Sequence, residues 1–351
     1  MNRRSKGASI TIKTVAEDAG VSPAAVSKVL REAYGVSEEL RAKVKASIAK
    51  LGYRPHAAAR GMRGQTYTLG IILSDIQNPF FSDMLSGVHS ALERTQYQPL
   101  LGVTRSDPNL QQTIIDAMID RRMDGLILIA PSMSGAELEA LAEEIPIAVI
   151  GYHNRAGVNF DSVNNDDVLG AKLAVRHFAE QGYRNISYLS LFRSDATEYH
   201  VTMQRELGYR QAMTELGLSR HISVVRAPQT PRETQAAARQ LLLAGAEPHA
   251  VFCWTDFVAL EVLSAAKDLH MAVPADVGVI GYDNVGYCDL SQNALTSIDQ
   301  SGQVLGLQAV RLLVERIKGR REAEHFVVAP RLVVRASSRR RTDKPPVRPA
   351  S

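Results

Sequence analysis

Thr11-Ile-Lys-Thr-Val-Ala-Glu-Asp-Ala-Gly-Val-Ser-Pro-Ala-Ala-Val-Ser-Lys-Val-Leu30 has the spacing of two short helices joined by a tight turn. Ile12, Val15, Ala16 and Ala19 recur at i, i+3, i+4 and i+7, which places them on one helical face. Gly20 supplies the permissive backbone a sharp turn needs, Ser22 can cap the next helix, and Pro23 suits its first position. Val26, Val29 and Leu30 give the second helix a buried side. Pro23, Ala24, Ala25, Ser27, Lys28 and Arg31 form a face of small residues edged with cations. A helix with that face fits the DNA major groove, so the stretch predicts a DNA-reading helix-turn-helix.

A third helix is expected next. Ser37 is placed to cap it, Leu40, Val44 and Ile48 fall at i, i+4 and i+8, and Gly52 marks its end, with Tyr53 packing beneath the three helices. From Pro55 to Gly64 three alanines favour helix, whereas Gly61 and Gly64 oppose it, and the piece is too short to be stable alone. It reads as a flexible linker in the free chain, or as a hinge that becomes helical only on DNA. Residues 1–9 read as a solvated basic arm.

Charge is distributed unevenly. Residues 1–66 hold 13 Lys+Arg against 5 Asp+Glu, residues 335–351 hold 6 against 1, and residues 67–334 hold 22 against 31. A basic head is drawn to phosphate by counterion release, and an acidic body is not. At 351 residues, with 45% hydrophobic and 22% charged, the composition is that of a globular chain of two or three domains. No apolar run approaches the roughly 18 residues of a membrane helix, and no apolar stretch follows the basic start to suggest a secretory signal. Cys253 and Cys288 are isolated, which fits a reduced cytoplasm.

Residues 67–338 alternate strand and helix. Strands are expected at Leu69–Leu73, Leu100–Val103, Gly125–Ala130, Ile147–Ile150, Ile186–Ser190, Ile222–Val225, Ala250–Cys253, Val277–Gly281 and Arg331–Val334, with helical patterns between. The expected class is α/β: an N-terminal three-helix helix-turn-helix domain (10–54) plus hinge (55–66), joined to a core of two parallel-sheet subdomains. The core is too long for one doubly wound sheet, so two lobes with a cleft at the strands' carboxyl ends are expected. The lobes are placed at about 67–165 with 299–327, and 166–298 with 328–338, leaving 339–351 as a disordered basic tail.

Several motifs then occur in one order. T-I-x-x-V-A-x-x-A-G-V-S-x-x-x-V-S-x-V-L (Thr11–Leu30) precedes V-S-E-E-L-R-x-K-V (Val36–Val44) and L-G-Y-R-P (Leu51–Pro55). N-P-F-F (Asn78–Phe81), R-x-D-G-L-I-L (Arg122–Leu128) and R-x-x-G-Y-x-x-A (Arg205–Ala212) follow, and V-G-V-I-G-Y-D-N (Val277–Asn284) and L-T-S-I-D-Q (Leu295–Gln300) close the series. From Thr11 to about Ser338 the chain resembles bacterial transcription regulators of the lactose-repressor type (LacI/GalR). The resemblance implies a periplasmic-binding-protein-like core and a second helix that reads base edges through Pro23, Ala24, Ser27 and Lys28. It implies that Thr11, Ser22, Arg31 and Ser37 hold phosphates. At the position of Met62 it implies an apolar wedge in a minor-groove step; a methionine elsewhere is most often core, but the hinge context favours the wedge.

The resemblance also implies a small-molecule effector between the lobes, faced by Asp75, Phe80 and Phe81 from one side and by Arg205, Trp254, Thr255 and Asp283 from the other. Carboxylates, a guanidinium and aromatic faces suit a polyol, so a carbohydrate or its derivative is the first expectation and a nucleobase or nucleoside the second. Gln229 stands where sugar-responsive relatives carry a stacking ring. Phe80 and Phe81 have an alternative as helix-start core, Asp256 as a helix cap, and Asp283 as an organiser of its own turn. A homodimer on pseudo-palindromic double-stranded DNA is expected, with repression set by effector, and with activation or corepression as alternatives. No leucine heptad in the tail suggests a tetramer. An enzyme is not expected: no phosphate-cradling glycine loop or nucleophile elbow occurs, and His153, His177 and His200 are scattered as surface or packing residues. No cofactor, metal or membrane is called for.

Overall fold

The computed structural model describes residues 10–30, 33–53, 65–192, 197–227, 230–244 and 249–340. The chain divides into two compact units, residues 1–66 and 67–351.

The first unit contains α1 (Ile12–Ala19), α2 (Pro23–Leu30) and α3 (Glu38–Leu51). Their ends are set locally. Thr11 Oγ1 accepts from the Thr14 amide and Thr14 Oγ1 from the Thr11 amide, and Ser22 Oγ accepts from the Ala25 amide at 3.1 Å. Ser37 Oγ accepts from the Leu40 amide at 3.3 Å. Gly20 (φ 61°) and Gly52 (φ 64°) end α1 and α3 in the left-handed region, where a side chain is strained. Val15, Ala16, Ala19, Val26, Val29, Val44 and Tyr53 form the core. Asp18 ties α1 to α3 by accepting from Lys50 Nζ at 2.6 Å and Ser47 Oγ at 2.7 Å.

The second unit holds two six-stranded sheets. The first is ordered β11-β5-β4-β3-β1-β2, with β1 Thr68–Leu73, β2 Gln98–Val103, β3 Gly125–Ile129, β4 Ile147–Ile150, β5 Asp161–Asn165 and β11 His325–Val328. All its pairings are parallel. The second is ordered β12-β10-β9-β8-β6-β7, with β6 Asn185–Leu191, β7 Ser223–Ala227, β8 His249–Cys253, β9 Val277–Asp283, β10 Thr296–Asp299 and β12 Arg331–Val333; only β12 is antiparallel. The chain passes between sheets after β5, β10 and β11.

The strands β5, β10 and β11 escape the sequence reading because they are short and, in β5 and β10, polar. All five residues of β5 are nevertheless buried. Asp161 is matched by Arg316 (2.9 Å) and Arg320 (2.8 Å), Asn164 Nδ2 donates to the Tyr152 carbonyl, and Asn165 Nδ2 donates to the Gln300 carbonyl. Polar side chains are tolerated there because each has a partner.

Two helices close the first sheet, α4 (Pro79–Leu92) and α11 (Gly302–Ile317). They cross on glycines: a Cβ on Gly87 would lie 2.0 Å from the Gln303 carbonyl oxygen, and one on Gly306 2.0 Å from that of Met84. The tail expectation needs correction at its start. Arg339 and Arg340 are placed; the Arg340 amide donates to Gln181 Oε1 at 3.0 Å and its guanidinium lies 5.1 Å from the centre of the Tyr183 ring. Residues 341–351 lie outside the described residues, as do 54–64 of the expected hinge, and Gln65 and Thr66 are not helical.

Candidate functional site

Two surfaces carry the chemistry. On the first unit, Pro23, Ala24 and Lys28 are exposed along one side of α2. Ser27, expected beside them, is only 9% exposed and turns toward the helical core; at i+1 from Val26 it falls on the edge of the apolar face. Thr11, Ser22 and Ser37 are exposed hydroxyls at the N-termini of α1, α2 and α3. Each accepts from its own helix, and a hydroxyl that accepts can still donate its O–H, although Thr11 Oγ1 also meets Thr14 Oγ1 at 3.2 Å. Arg31 and Met62 lie outside the described residues.

In the second unit, a cavity of about 230 Å³ opens at the carboxyl ends of both sheets' strands. All seven residues expected there line it: Asp75, Phe80, Phe81, Arg205, Trp254, Thr255 and Asp283. Asn78, Asn165, Asp167, His200 and Gln300 join them. Phe80 and Phe81 begin α4 with rings 6.4 Å apart, and both pack on the core while facing the cavity, so the two readings of these residues coexist. Asp75 occupies the rim and accepts from the Gln77 amide at 2.9 Å.

Arg205 enters from α8 (Val201–Glu215) and is 3% exposed. Its Nε donates to Asp167 Oδ1 at 2.7 Å and its Nη1 to the Trp254 carbonyl at 2.6 Å. The guanidinium lies 3.6 Å from the Tyr282 ring centre and 4.8 Å from that of Trp254. Asp167 opens α7 (Asp167–Glu180) and also meets His153 Nε2 at 2.9 Å. Burial works to raise the Asp167 carboxyl, but Arg205 and His153 outweigh it and hold it below the usual carboxylate range.

Asp283 ends β9 with φ 116°, a backbone region that strains an aspartate. Its Oδ2 accepts from Asn78 Nδ2 at 2.9 Å and its Oδ1 from Gln300 Nε2 at 2.5 Å, so it ties α4 of the first sheet's layer to the second sheet. Burial pushes its carboxyl up to about 8 against the pull of Arg205, with the Asp256 carboxylate adding to the rise. The cap of α10 (Asp256–Asp268) corrects an expectation: Thr255 Oγ1 accepts from the Val258 amide, not Asp256. Asp256 is fully buried and accepts from Ser297 Oγ at 2.5 Å and the Val285 amide at 2.8 Å, bracing the loop after β9.

Asn78 and Gln300 were visible as ends of motifs but not as cavity groups, and Asp167 had no signal, because its partner lies 38 residues away. His177 is a packing residue bonded to Ser338 Oγ, whereas His200 lines the cavity. Gln229 lies outside the described residues. Among the described residues no group of three or more His, Cys, Asp or Glu could hold a metal, and no helix is long and apolar enough to cross a membrane.

A helix-turn-helix and a lined cavity on one chain are the parts of a ligand-responsive DNA-binding regulator. Residues 11–56 match the family described as bacterial regulatory proteins, lacI family, and residues 175–338 match a periplasmic binding protein-like domain. The HTH-type transcriptional repressor PurR of Erwinia tasmaniensis is 31% identical over 332 residues, covering 93% of this chain and 96% of that protein. The protein of the same name from Klebsiella pneumoniae strain 342 is 32% identical over 336 residues, with the same coverage. The structure of the transcriptional regulator CelR in complex with cellobiose superposes with TM-score 0.68 at 27% identity, over 93% of this chain and 99% of that one. A lac repressor dimer bound to operator and the anti-inducer ONPF, 23% identical, shares the fold with TM-score 0.80 over 94% and 99% of the two chains. The chain belongs to the lacI family of bacterial regulatory proteins. It is a DNA-binding transcription regulator rather than an enzyme, working in the cytoplasm where its DNA lies.

Proposed function

We propose that this regulator is a repressor that binds a pseudo-palindromic operator as a homodimer, with operator affinity set by a flat, nucleobase-like effector in the cavity. Relatives at 31–32% identity are named repressors, and the lac repressor of like fold was solved as a dimer on operator. Pro23, Ala24 and Lys28 read base edges, with Lys28 donating to guanine and the small residues meeting thymine methyls. Thr11, Ser22, Ser37 and Arg31 hold phosphates, and Met62 wedges the central step. Ser27 contributes least, being turned inward.

The observation that carries the effector class is the prior pairing of the cavity's polar groups. Both Asp283 oxygens already accept from amides, and two Arg205 nitrogens are engaged with Asp167 and Trp254. That leaves few groups for the bidentate capture a polyol wants, while Phe80, Phe81 and Trp254 offer ring faces. A carbohydrate is the second reading, favoured by the cellobiose complex of a 27%-identical regulator.

Calorimetry of the full chain with adenine, guanine and hypoxanthine against glucose and ribose tests the class. Binding by a base and not by the sugars is expected; the reverse overturns it. Selection from random duplexes should return a palindromic site. Met62→Gly should abolish tight binding to that site while leaving weak salt-sensitive binding, and equal operator affinity would refute the wedge.

A further inference from the structure

The charge lining the cavity is lopsided. Among the described residues, Arg205 is the one guanidinium or ammonium on its wall and is matched by Asp167. Burial keeps Asp283 largely in its neutral form at pH 7. The Asp75 and Glu261 carboxylates have no Arg or Lys left in the described lining to match them. Arg205 is not available to an incoming anion. It pairs with Asp167 at 2.7 Å, their side chains 4% and 1% exposed, donates to the Trp254 carbonyl, and lies 3.6 Å from the centre of the Tyr282 ring. Detaching it would leave the buried Asp167 carboxylate with His153 as its remaining partner.

Helix N-termini are the other common home for an anion, and α4, α7, α8 and α10 all begin at residues lining this wall. Three are already capped by a side chain, α4 by Asn78, α7 by Asp166 and α10 by Thr255, whereas α8, which follows His200, has no side-chain cap. Two of them also carry a carboxylate in the first turn, Asp167 and Asp256. The positive ends of α4, α7 and α10 are therefore satisfied from within, so the charge of the wall is decided by its side chains.

We propose that this cavity selects against anions, so that the effector is an uncharged small molecule, neither phosphorylated nor carboxylated. The proposal rests on the cavity being the effector site, and not on whether the effector is a base or a sugar. The discrimination is physical. A phosphate entering here would lose its water, meet no unpaired Arg or Lys among the described lining, and face the Asp75 and Glu261 carboxylates in a medium of low dielectric constant. An uncharged ring or sugar loses much less hydration energy and meets no like-charge repulsion. The regulator would accordingly respond to a free base or free sugar and ignore the phosphorylated forms made from it.

Trp254 is the only tryptophan of the chain and lines the cavity, so its fluorescence reads the local charge directly. Quenching of the full-length protein by iodide, caesium and acrylamide is compared at constant ionic strength. Caesium is expected to quench at least about threefold more strongly than iodide, after correction for their efficiencies on free tryptophan. Replacing the two rim carboxylates together, Asp75→Asn with Glu261→Gln, should raise iodide quenching. Iodide quenching equal to or stronger than caesium overturns the proposal. Calorimetry then compares adenine with adenosine 5′-monophosphate and ribose with ribose 5-phosphate. The phosphorylated member of whichever pair binds should be at least about tenfold weaker. Equal or tighter binding of a phosphorylated member overturns the charge rule. Binding of ribose alone would displace the nucleobase reading and leave the charge rule standing. If no compound of the four binds, the quenching ratio decides.

Discussion

Arg205 and Asp283 show how single side chains make this cavity. Arg205 compensates Asp167, and neither is stable alone at that depth. Arg205→Met should destabilise the second unit by about 3–5 kcal/mol, because it leaves a buried carboxylate with His153 as its remaining partner. Adding Asp167→Asn should recover part of that loss, and denaturant unfolding of both variants measures the coupling. Asp283 behaves differently, since burial raises it from 3.8 to about 8. A carboxyl raised in the folded chain stabilises fully below its unfolded value, and that contribution is lost as pH rises through the folded one. Asp283→Asn removes the titration. Its melting temperature relative to the parent should therefore climb between pH 5 and pH 8; a constant gap would show that Asp283 does not titrate in this window.

Packing between elements depends on where small residues fall. The crossing of α4 and α11 is possible because Gly87 and Gly306 each sit against the other helix's backbone. Gly306→Ala adds a methyl that would stand 2.0 Å from a main-chain oxygen, so the helices must separate. A loss of about 1–3 kcal/mol is expected, read as a lower denaturant midpoint with unchanged slope. A tolerated alanine would mean that α4 and α11 slide more easily than this contact allows. The polar strand β5 makes the complementary point, since its burial depends on Arg316 and Arg320 arriving from α11 and the segment after it.

For the whole molecule, the separation of charge mirrors the separation of tasks. The charge of the basic first 66 residues suits phosphate, and the acidic core surrounds a cavity with no unpaired Arg or Lys among its described lining. Because one chain carries both sites, effector and operator must shift each other's affinity by the same factor. Titrating operator with and without saturating adenine, and adenine with and without operator, should return equal ratios, whichever sign they take. Residues 67–351 form a compact unit of their own and should keep adenine binding while losing operator binding. Turnover by either form would contradict the assignment.

The head was legible in the bare chain because its determinants are local. Capping hydroxyls, left-handed glycines and i, i+3, i+4 spacing all act within a few residues. The strand–helix alternation was legible for the same reason, wherever a strand was apolar. The cavity residues could be named from motifs, but not their partners. Asp283 meets Asn78 across 205 positions and Arg205 meets Asp167 across 38, and periodicity says nothing about which loops fold together. The polar strands β5 and β10, the inward turn of Ser27 and the cap at Thr255 belong to the same group. Each depends on neighbours supplied by the three-dimensional fold, where desolvation and pairing, not spacing along the chain, set what a side chain does.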